Sequence, residues 1–470
     1  MSSPSQSVNP DAELDSARIR FRRALTLLGM TLVIPGSAQL VAGNKWVGRA
    51  AMRVWMVAIL GFIFLVALYF GWRSMAFHLM TNTTLLGLLR LALIVAAAVW
   101  VGLLLDAWRL GDPLALRQRQ RLTMFSLNSA VCIVASGALL FASHVVAVQK
   151  DFIEFMFGDG QVSNAVDGRY NVLLLGGDSG ETRVGLRPDS ITLASIDADT
   201  GRTVLFGLPR NMEHVPFPDG SAMARHFPDG FTWDPDYLNA INTWATDHPG
   251  LFPRDVQDPG IEATKEAVEG ITGLQVNYYA MVNLYGFRSL VDAVGGITLH
   301  VHERVPIGGI GGKITGWIEP GKQHLDGYHA LWYARSRAST DDYSRMARQK
   351  CVMNAMLHQL SPRTVLLHVE AIAKAGKQLM STDIPASQLG TFIDLALKAR
   401  SQPVATVSFV PPMIKTYDPD YGLIRARVVN AIAHSEAADS RDAPTTHRHR
   451  ASTDGSTAGA NVTANLAHTC

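Results

Sequence analysis

Four long stretches almost free of charge, 24–42, 54–72, 84–105 and 122–148, occupy the start of this 470-residue chain. Each is long enough to cross a hydrocarbon core roughly 30 Å thick. Backbone polar groups inside that core must be satisfied within the segment, which restricts such stretches to helices. An all-α membrane region over 18–150, behind a cytoplasmic tail of 1–17, is therefore expected. Arg18, Arg20, Arg22 and Arg23 precede the first stretch, and Lys45, Arg49 and Arg53 follow it. Basic flanks stay on the cytoplasmic side, so both ends of 24–42 are placed inside. That stretch breaks at Pro35-Gly36-Ser37 and carries Gln39, as a re-entrant or interfacial hairpin would. Three spans near 54–72, 84–105 and 122–148 remain, rather than four. The loop 109–121 holds Arg109, Arg117, Arg119 and Arg121 and is placed inside, whereas 73–83 holds Arg73 alone. Everything after about residue 150 then faces outward. A cleaved signal peptide is not expected, because basic residues and further spans follow the first apolar run.

Hydrophobic content of 48% and a formal charge of +2 leave room for this region plus one large globular domain, and argue against a nucleic-acid partner. Cys132, Cys351 and Cys470 have neither zinc-site spacing nor the even number of a disulfide framework. After a linker over 151–167 the pattern changes. "YNVLLL", "SITLASI", "TVLFGL", "YYAMVNL", "ITLHVHE" and "VATVSFV" read as strands, and "IEATKEAVEGITG" and "YGFRSLVDAVGG" as helices that end at glycine. The alternation predicts a mixed α/β (α+β) domain over 168–432, with a central sheet flanked by helices. Residues 211–260, rich in Pro, Asp, Gly and aromatics, read as long ordered loops. Residues 433–470 lack apolar periodicity and are expected to form a disordered tail. No internal repeat is present.

Chemistry concentrates in two places. "ALWYARSRASTDDYSRMARQK" (330–350) places Arg335 and Arg337 two apart at the end of a strand-like "ALWYA", so that they share a face. Arg345, Arg348 and Gln349 share a face of the helix that follows. Either Asp341 and Asp342 neutralise these arginines, or the arginines fork onto an external dianion, for which guanidinium is suited. In "NVLLLGGDSGETRVGLRPDS", Asp178 follows one buried strand and Asp189 precedes the next. Such carboxylates are either turn formers or ligands converging on a hard cation such as Mg²⁺. Arg187 would put a phosphate donor beside that cation, and "LPRNM" adds Arg210.

The run "NVLLLGGD", "RPDSITLASID", "LFGLPRNM", "LVDAVGGI", "LDGYHALWYARSR" and "DDYSRMARQK", in this order over 168–432, resembles the LytR-CpsA-Psr family of cell-wall glycopolymer transferases. The resemblance implies an extracytoplasmic enzyme. Its donor would be a polyprenyl-pyrophosphate-linked glycan of teichoic acid, capsule or arabinogalactan type, joined through a phosphodiester to a peptidoglycan acceptor. It implies Mg²⁺ on Asp178 and Asp189, with Arg187, Arg210, Arg335 and Arg337 as catalytic groups and Arg345, Arg348, Gln349 and Asn239 binding the substrate. The chain departs from the family twice: Asn211 stands where Asp is usual, and Tyr237 where Lys is frequent.

Phosphoryl transfer needs charge neutralisation and in-line positioning more than covalent help. A muramyl hydroxyl would attack, and Asp341, Asp342 or a metal-bound carboxylate could take its proton. The spans would keep the domain beside membrane lipid, where the carrier's tail lies. Hydrolysis of a lipid pyrophosphate, or its binding by a non-catalytic regulator of envelope assembly, are the competing functions. "GGIGGKI" (308–314) lacks phosphate-loop spacing and reads as a turn. His447 and His449 in "THRHR" read as incidental composition. Trp332 and Tyr333 either line a lipid groove or pack the core.

Overall fold

A computed structural model describes residues 10–157, 160–177, 188–309, 312–338, 340–359, 380–437 and 457–470. The chain divides into two compact units, Met1–Asp151 and Phe152–Cys470.

The first unit holds α1 (Pro10–Val33), α2 (Ser37–Ala42), α3 (Lys45–Gly71), α4 (Arg73–Thr81), α5 (Thr83–Leu110) and most of α6 (Gln118–Met156). The Pro-Gly break divides the first apolar stretch: α1 ends at Val33, and Gly36, at φ 93°, turns the chain into α2. A Cβ on Gly48 would lie 2.6 Å from the Leu40 amide nitrogen, so α2 and α3 meet backbone to backbone. Gln39, fully buried, donates to the Leu103 carbonyl at 2.9 Å and to Asp106 at 3.2 Å, which ties α2 to α5. Three helical stretches, Lys45–Leu68, Thr83–Leu110 and Gln118–Phe155, are long and apolar enough to cross a membrane. On α3, Val57, Phe62 and Phe64 are all exposed, a pattern that suits lipid rather than water.

The second unit is built from β1 (Arg169–Gly177), β2 (Pro188–Asp197), β3 (Thr203–Leu208), α7 (Ala222–His226), α8 (Leu238–Asp247), α9 (Pro259–Thr272), β4 (Tyr278–Asn283) and α10 (Leu284–Ala293). Then come β5 (Ile297–Val301), β6 (Val305–Gly308), β7 (Ile314–Ile318), β8 (Gly321–Leu325), α11 (Gly327–Arg335) and α12 (Asp342–Gln359). The chain continues with β9 (Met380–Thr382), α13 (Leu389–Ala399), β10 (Val404–Ser408), α14 (Tyr421–Ala437) and β11 (Val462–Thr463). Seven strands form one mixed sheet in the order β11-β10-β3-β2-β1-β4-β9, and β5–β8 and β6–β7 form two-stranded ribbons.

Alternation along the strands explains the layers. Val204, Phe206 and Leu208 of β3 join a core with Trp244 of α8, Val268 of α9 and Val428 of α14. Leu205 joins a second core with Tyr333 of α11 and Cys351 of α12. With both faces covered, the central strands read as continuous apolar runs. Gly177 at the end of β1 pairs with Pro188 at the start of β2 and with Asn283 at the end of β4, while Leu208 ends β3 opposite Ile191. Strand ends thus gather at one edge of the sheet, below α11 and α12.

Several expectations need correction. "ALWYA" is helical, not extended: Asp326 caps α11 by accepting from the His329 amide at 2.8 Å, and Ala330 and Tyr333, three apart, are its buried side. Residues 238–247, expected in a loop, form α8, buried over most of its circumference. The expected linker begins as helix, because between Gly137 and Gly158 α6 meets no Gly or Pro and runs to Met156. The tail expected from 433 instead begins inside α14, and residues 457–470 pack onto the sheet, where β11 pairs with β10 and Cys470 forms a disulfide with Cys351. Residues 1–9, Ile310, Gly311, His447 and His449 lie outside the described residues.

Candidate functional site

Asp189, the second residue of β2, projects from the strand-end edge, and Arg210 stands two residues past the end of β3. The antiparallel pairing of β2 with β3 brings them together, and Arg210 Nη1 donates to Asp189 Oδ1. From the helical side, Arg345 Nη2 donates to the Asp189 carbonyl at 2.8 Å and to Asp342 Oδ2 at 3.0 Å. Asp342 also faces Arg337 Nη1 at 3.5 Å and Arg210 Nε at 3.8 Å, so one carboxylate organises three guanidiniums. The Arg345 side chain is 4% exposed, whereas those of Arg337 and Arg210 are 33% and 25% exposed. Burial lowers Arg345 to about 10, opposed by Asp342, so it stays a cation at neutral pH.

Asp189 and the three guanidiniums line a cavity of about 1010 Å³. Arg210, Arg335, Arg337 and Arg345 are lining residues, and among the described residues Asp189 is the lining carboxylate. Gln349 and Asn239 line it too. Gln349 donates to the Ala334 carbonyl at 3.2 Å, and the Asn239 amide donates to the Arg210 carbonyl at 3.0 Å, which fixes the loop that carries Arg210. Arg335 lies over the Trp332 ring at 5.1 Å. Much of the remaining wall is apolar, with Leu284, Phe287, Leu290, Leu331, Met353 and Met356, beside the polar Ser190, Thr192, Thr243 and Asn283. Sequence reading had no means to collect the six apolar residues, since they come from three helices, α10, α11 and α12, whose packing no local pattern specifies.

Of the ten residues singled out from sequence, seven meet here. Asp178 and Arg187 lie outside the described residues. Arg348 is a correction: it is 1% exposed and does not line the cavity. Its guanidinium donates to the Tyr333 carbonyl at 2.9 Å, to the Ser336 carbonyl, and to Thr340 Oγ1 at 3.3 Å. Arg348 therefore holds the turn from α11 to α12, which in turn places Arg335 and Arg337. Tyr333 is core, its phenol pushed up to about 12 by burial. Asp341 and Asp342 are not lining residues, and Asp341 instead caps α12 by accepting from the Ser344 amide at 2.7 Å. At the two departures from the family pattern, Asn211 donates to Thr416 Oγ1 at 3.3 Å, and Tyr237 precedes α8, partly exposed.

A lining carboxylate beside guanidiniums is a donor set for a hard cation shared with phosphate oxygens. Asp189 Oδ1 is taken by Arg210, and among the described residues no side chain is bonded to Oδ2. The apolar wall suits a hydrocarbon chain, so the cavity as a whole fits an amphiphile with an anionic head.

Residues 143–421 match the LytR_cpsA_psr family. The chain is 30% identical over 258 residues to the cell wall biosynthesis protein LcpA of Corynebacterium glutamicum, covering 49% of this chain and 47% of that protein. It is 27% identical over 241 residues to the polyisoprenyl-teichoic acid–peptidoglycan teichoic acid transferase TagU of Oceanobacillus iheyensis, covering 49% and 64%. The match thus spans about half to two thirds of these relatives' lengths. A crystal structure of TagV from B. subtilis aligns with a TM-score of 0.40 at 20% identity, covering 57% of this chain and 98% of that one.

Proposed function

Because this chain belongs to the LytR_cpsA_psr family, we propose that it is a membrane-anchored phosphotransferase that moves a glycopolymer from a polyprenyl-pyrophosphate carrier to peptidoglycan. One observation carries the reading: a single cavity joins four arginines and Asp189 to a wall of leucine, phenylalanine and methionine. A pyrophosphate would lie against the guanidiniums while the prenyl chain lies along the apolar wall. Among the described residues, four lining cations face Asp189 and, behind the lining, Asp342, which leaves an excess of positive charge for an anion to satisfy.

Arg337 and Arg335 would fork onto the phosphate nearer the lipid, offsetting charge that develops on the departing polyprenyl phosphate. Arg345 is buried and locked between Asp342 and the Asp189 carbonyl, so it offers a fixed positive field rather than a mobile contact. Asp189 and Asp178 would hold Mg²⁺, and the ion would supply charge neutralisation at the pyrophosphate. The proton of an attacking sugar hydroxyl would pass to a metal-bound carboxylate or on to water, since Asp341 and Asp342 lie outside the lining. Three apolar helices would anchor the chain in a cell membrane as a multi-pass protein with the second unit outside. The Cys351–Cys470 disulfide supports that side, because disulfides persist in oxidising compartments.

Incubation with a short polyprenyl-pyrophosphate glycan, Mg²⁺ and peptidoglycan fragments tests the proposal. Phosphodiester-linked glycan together with polyprenyl phosphate is the expected product pair. Free glycan phosphate without linkage would assign hydrolysis instead.

A further inference from the structure

Segment 457–470 was expected to carry no structure, yet it is stapled to the helix that carries Arg345 and Gln349. Ala460 and Leu466 are fully buried in the core beneath α12. Val462 and Thr463 pair with Val407 and Thr406 at the sheet edge, and Thr406 Oγ1 donates to the Ala460 carbonyl at 2.8 Å. Two attachments reach α12 itself. Asn461 Nδ2 donates to the Tyr343 carbonyl in its first turn at 2.9 Å, and Cys470 is bonded to Cys351 two turns on. Between them Lys350 Nζ donates to Ser408 Oγ, which donates to Asn461 Oδ1 at 3.1 Å.

Helical periodicity sorts these residues. With 3.6 residues per turn, Tyr343, Ala347, Lys350 and Cys351 fall on one face of α12, and Arg345, Gln349, Val352 and Met356 on the opposite face. The second set lines the cavity, whereas the first meets the stapled segment and the sheet. Two attachments eight residues apart, about 12 Å along the axis, fix both the translation and the rotation of a rigid helix. The position of the cavity face follows from them.

We propose that residues 457–470 are a positioning element of the cavity, acting through Asn461 and the Cys351–Cys470 disulfide on α12 and hence on Arg345 and Gln349. Asn461 is a positioning residue: it touches no cavity lining and bridges β10 to the start of α12. The inference rests on the proposed lipid-pyrophosphate reading for its ligand. Reduction should act as loss of the staple does: the S–S bond breaks, and dithiothreitol supplies two electrons and two protons and closes to its own cyclic disulfide.

The test uses the full chain in lipid nanodiscs, as wild type, Asn461→Ala and Cys470→Ser, with farnesyl pyrophosphate as probe. Amide exchange should lose protection across 343–351 in both variants and stay slow in β1. The Kd for the probe should rise about tenfold, equivalent to ~1.4 kcal/mol. In transfer, KM should rise while kcat at saturation stays within about twofold, a split that general destabilisation would not give. Dithiothreitol should reproduce the Kd change in wild type and leave Cys470→Ser unaffected. Unchanged Kd in Asn461→Ala and in reduced wild type would overturn the proposal, even if Cys470→Ser fails to fold. Wild type that does not bind the probe would instead sink the lipid-pyrophosphate reading, and exchange across 343–351 would still decide whether the segment holds the helix.

Discussion

Neighbouring arginines in one short motif carry different roles because their burial differs. Arg337 is one-third exposed and loosely faced by Asp342, whereas Arg348 spends its donors on carbonyls and Thr340 of its own turn. Arg337→Lys keeps the charge but loses the fork, so binding of a prenyl pyrophosphate should weaken by about 1.5–3 kcal/mol with Tm unchanged. Arg348→Met leaves buried carbonyls without donors and should lower stability by roughly 2–4 kcal/mol, read by urea denaturation. A stability loss in the first variant, or none in the second, would reverse these roles. Helical spacing placed Arg345, Arg348 and Gln349 together, but it could not tell a donor aimed at a ligand from one aimed at its own backbone. Lys350 titrates through burial alone, which pushes it down to about 7. Between that value and the ordinary lysine range the unfolded chain binds the extra proton, so this residue's contribution to stability improves as pH rises. Lys350→Met should therefore gain most over wild type near pH 6 and progressively less toward pH 10, as Tm at the two pH values will show. A constant difference would mean that Lys350 stays charged in the folded protein throughout this range.

At the scale of elements, glycine stops were legible and short apolar runs were not. Gly273 ends α9 where the sequence places its end, because a left-handed residue is a local requirement, whereas the Asp258 cap starts the helix two residues before the segment read from sequence. "ALWYA" is too short for periodicity to separate strand from helix, and the decision falls to the Asp326 cap and to packing beneath α12. α8 was hidden because it lies within a Pro-, Asp- and Gly-rich stretch and buries even its polar residues Asn239 and Asn242. The cap at Asp341 gives an element-scale test. Asp341→Ala should cost about 1 kcal/mol of stability and fray the first turn of α12, raising amide exchange at 343–345. Unchanged exchange there would mean that Asn461, not Asp341, fixes the start of the helix.

At the scale of the whole molecule, the division into an apolar helical unit and a mixed-sheet unit was readable from charge-free runs and strand-like segments, since both follow from hydropathy. Two features were not readable: the return of 457–470 to the sheet and the pairing of cysteines 119 residues apart. Neither leaves a local pattern, and an apolar anchor as small as Ala460 with Leu466 does not stand out in a polar stretch. Three crossings with basic loops inside would place residue 115 in the cytoplasm and residue 160 outside, and reporter fusions at those positions should report opposite sides. The most direct measurement is product analysis with the full chain, a short polyprenyl-pyrophosphate glycan, peptidoglycan fragments and Mg²⁺, comparing wild type with Arg337→Lys. The cavity predicts phosphodiester-linked glycan and polyprenyl phosphate in equal amounts from wild type, and much less of both from the variant. Equal yields from the two proteins, or polyprenyl phosphate released without linked glycan, would contradict it.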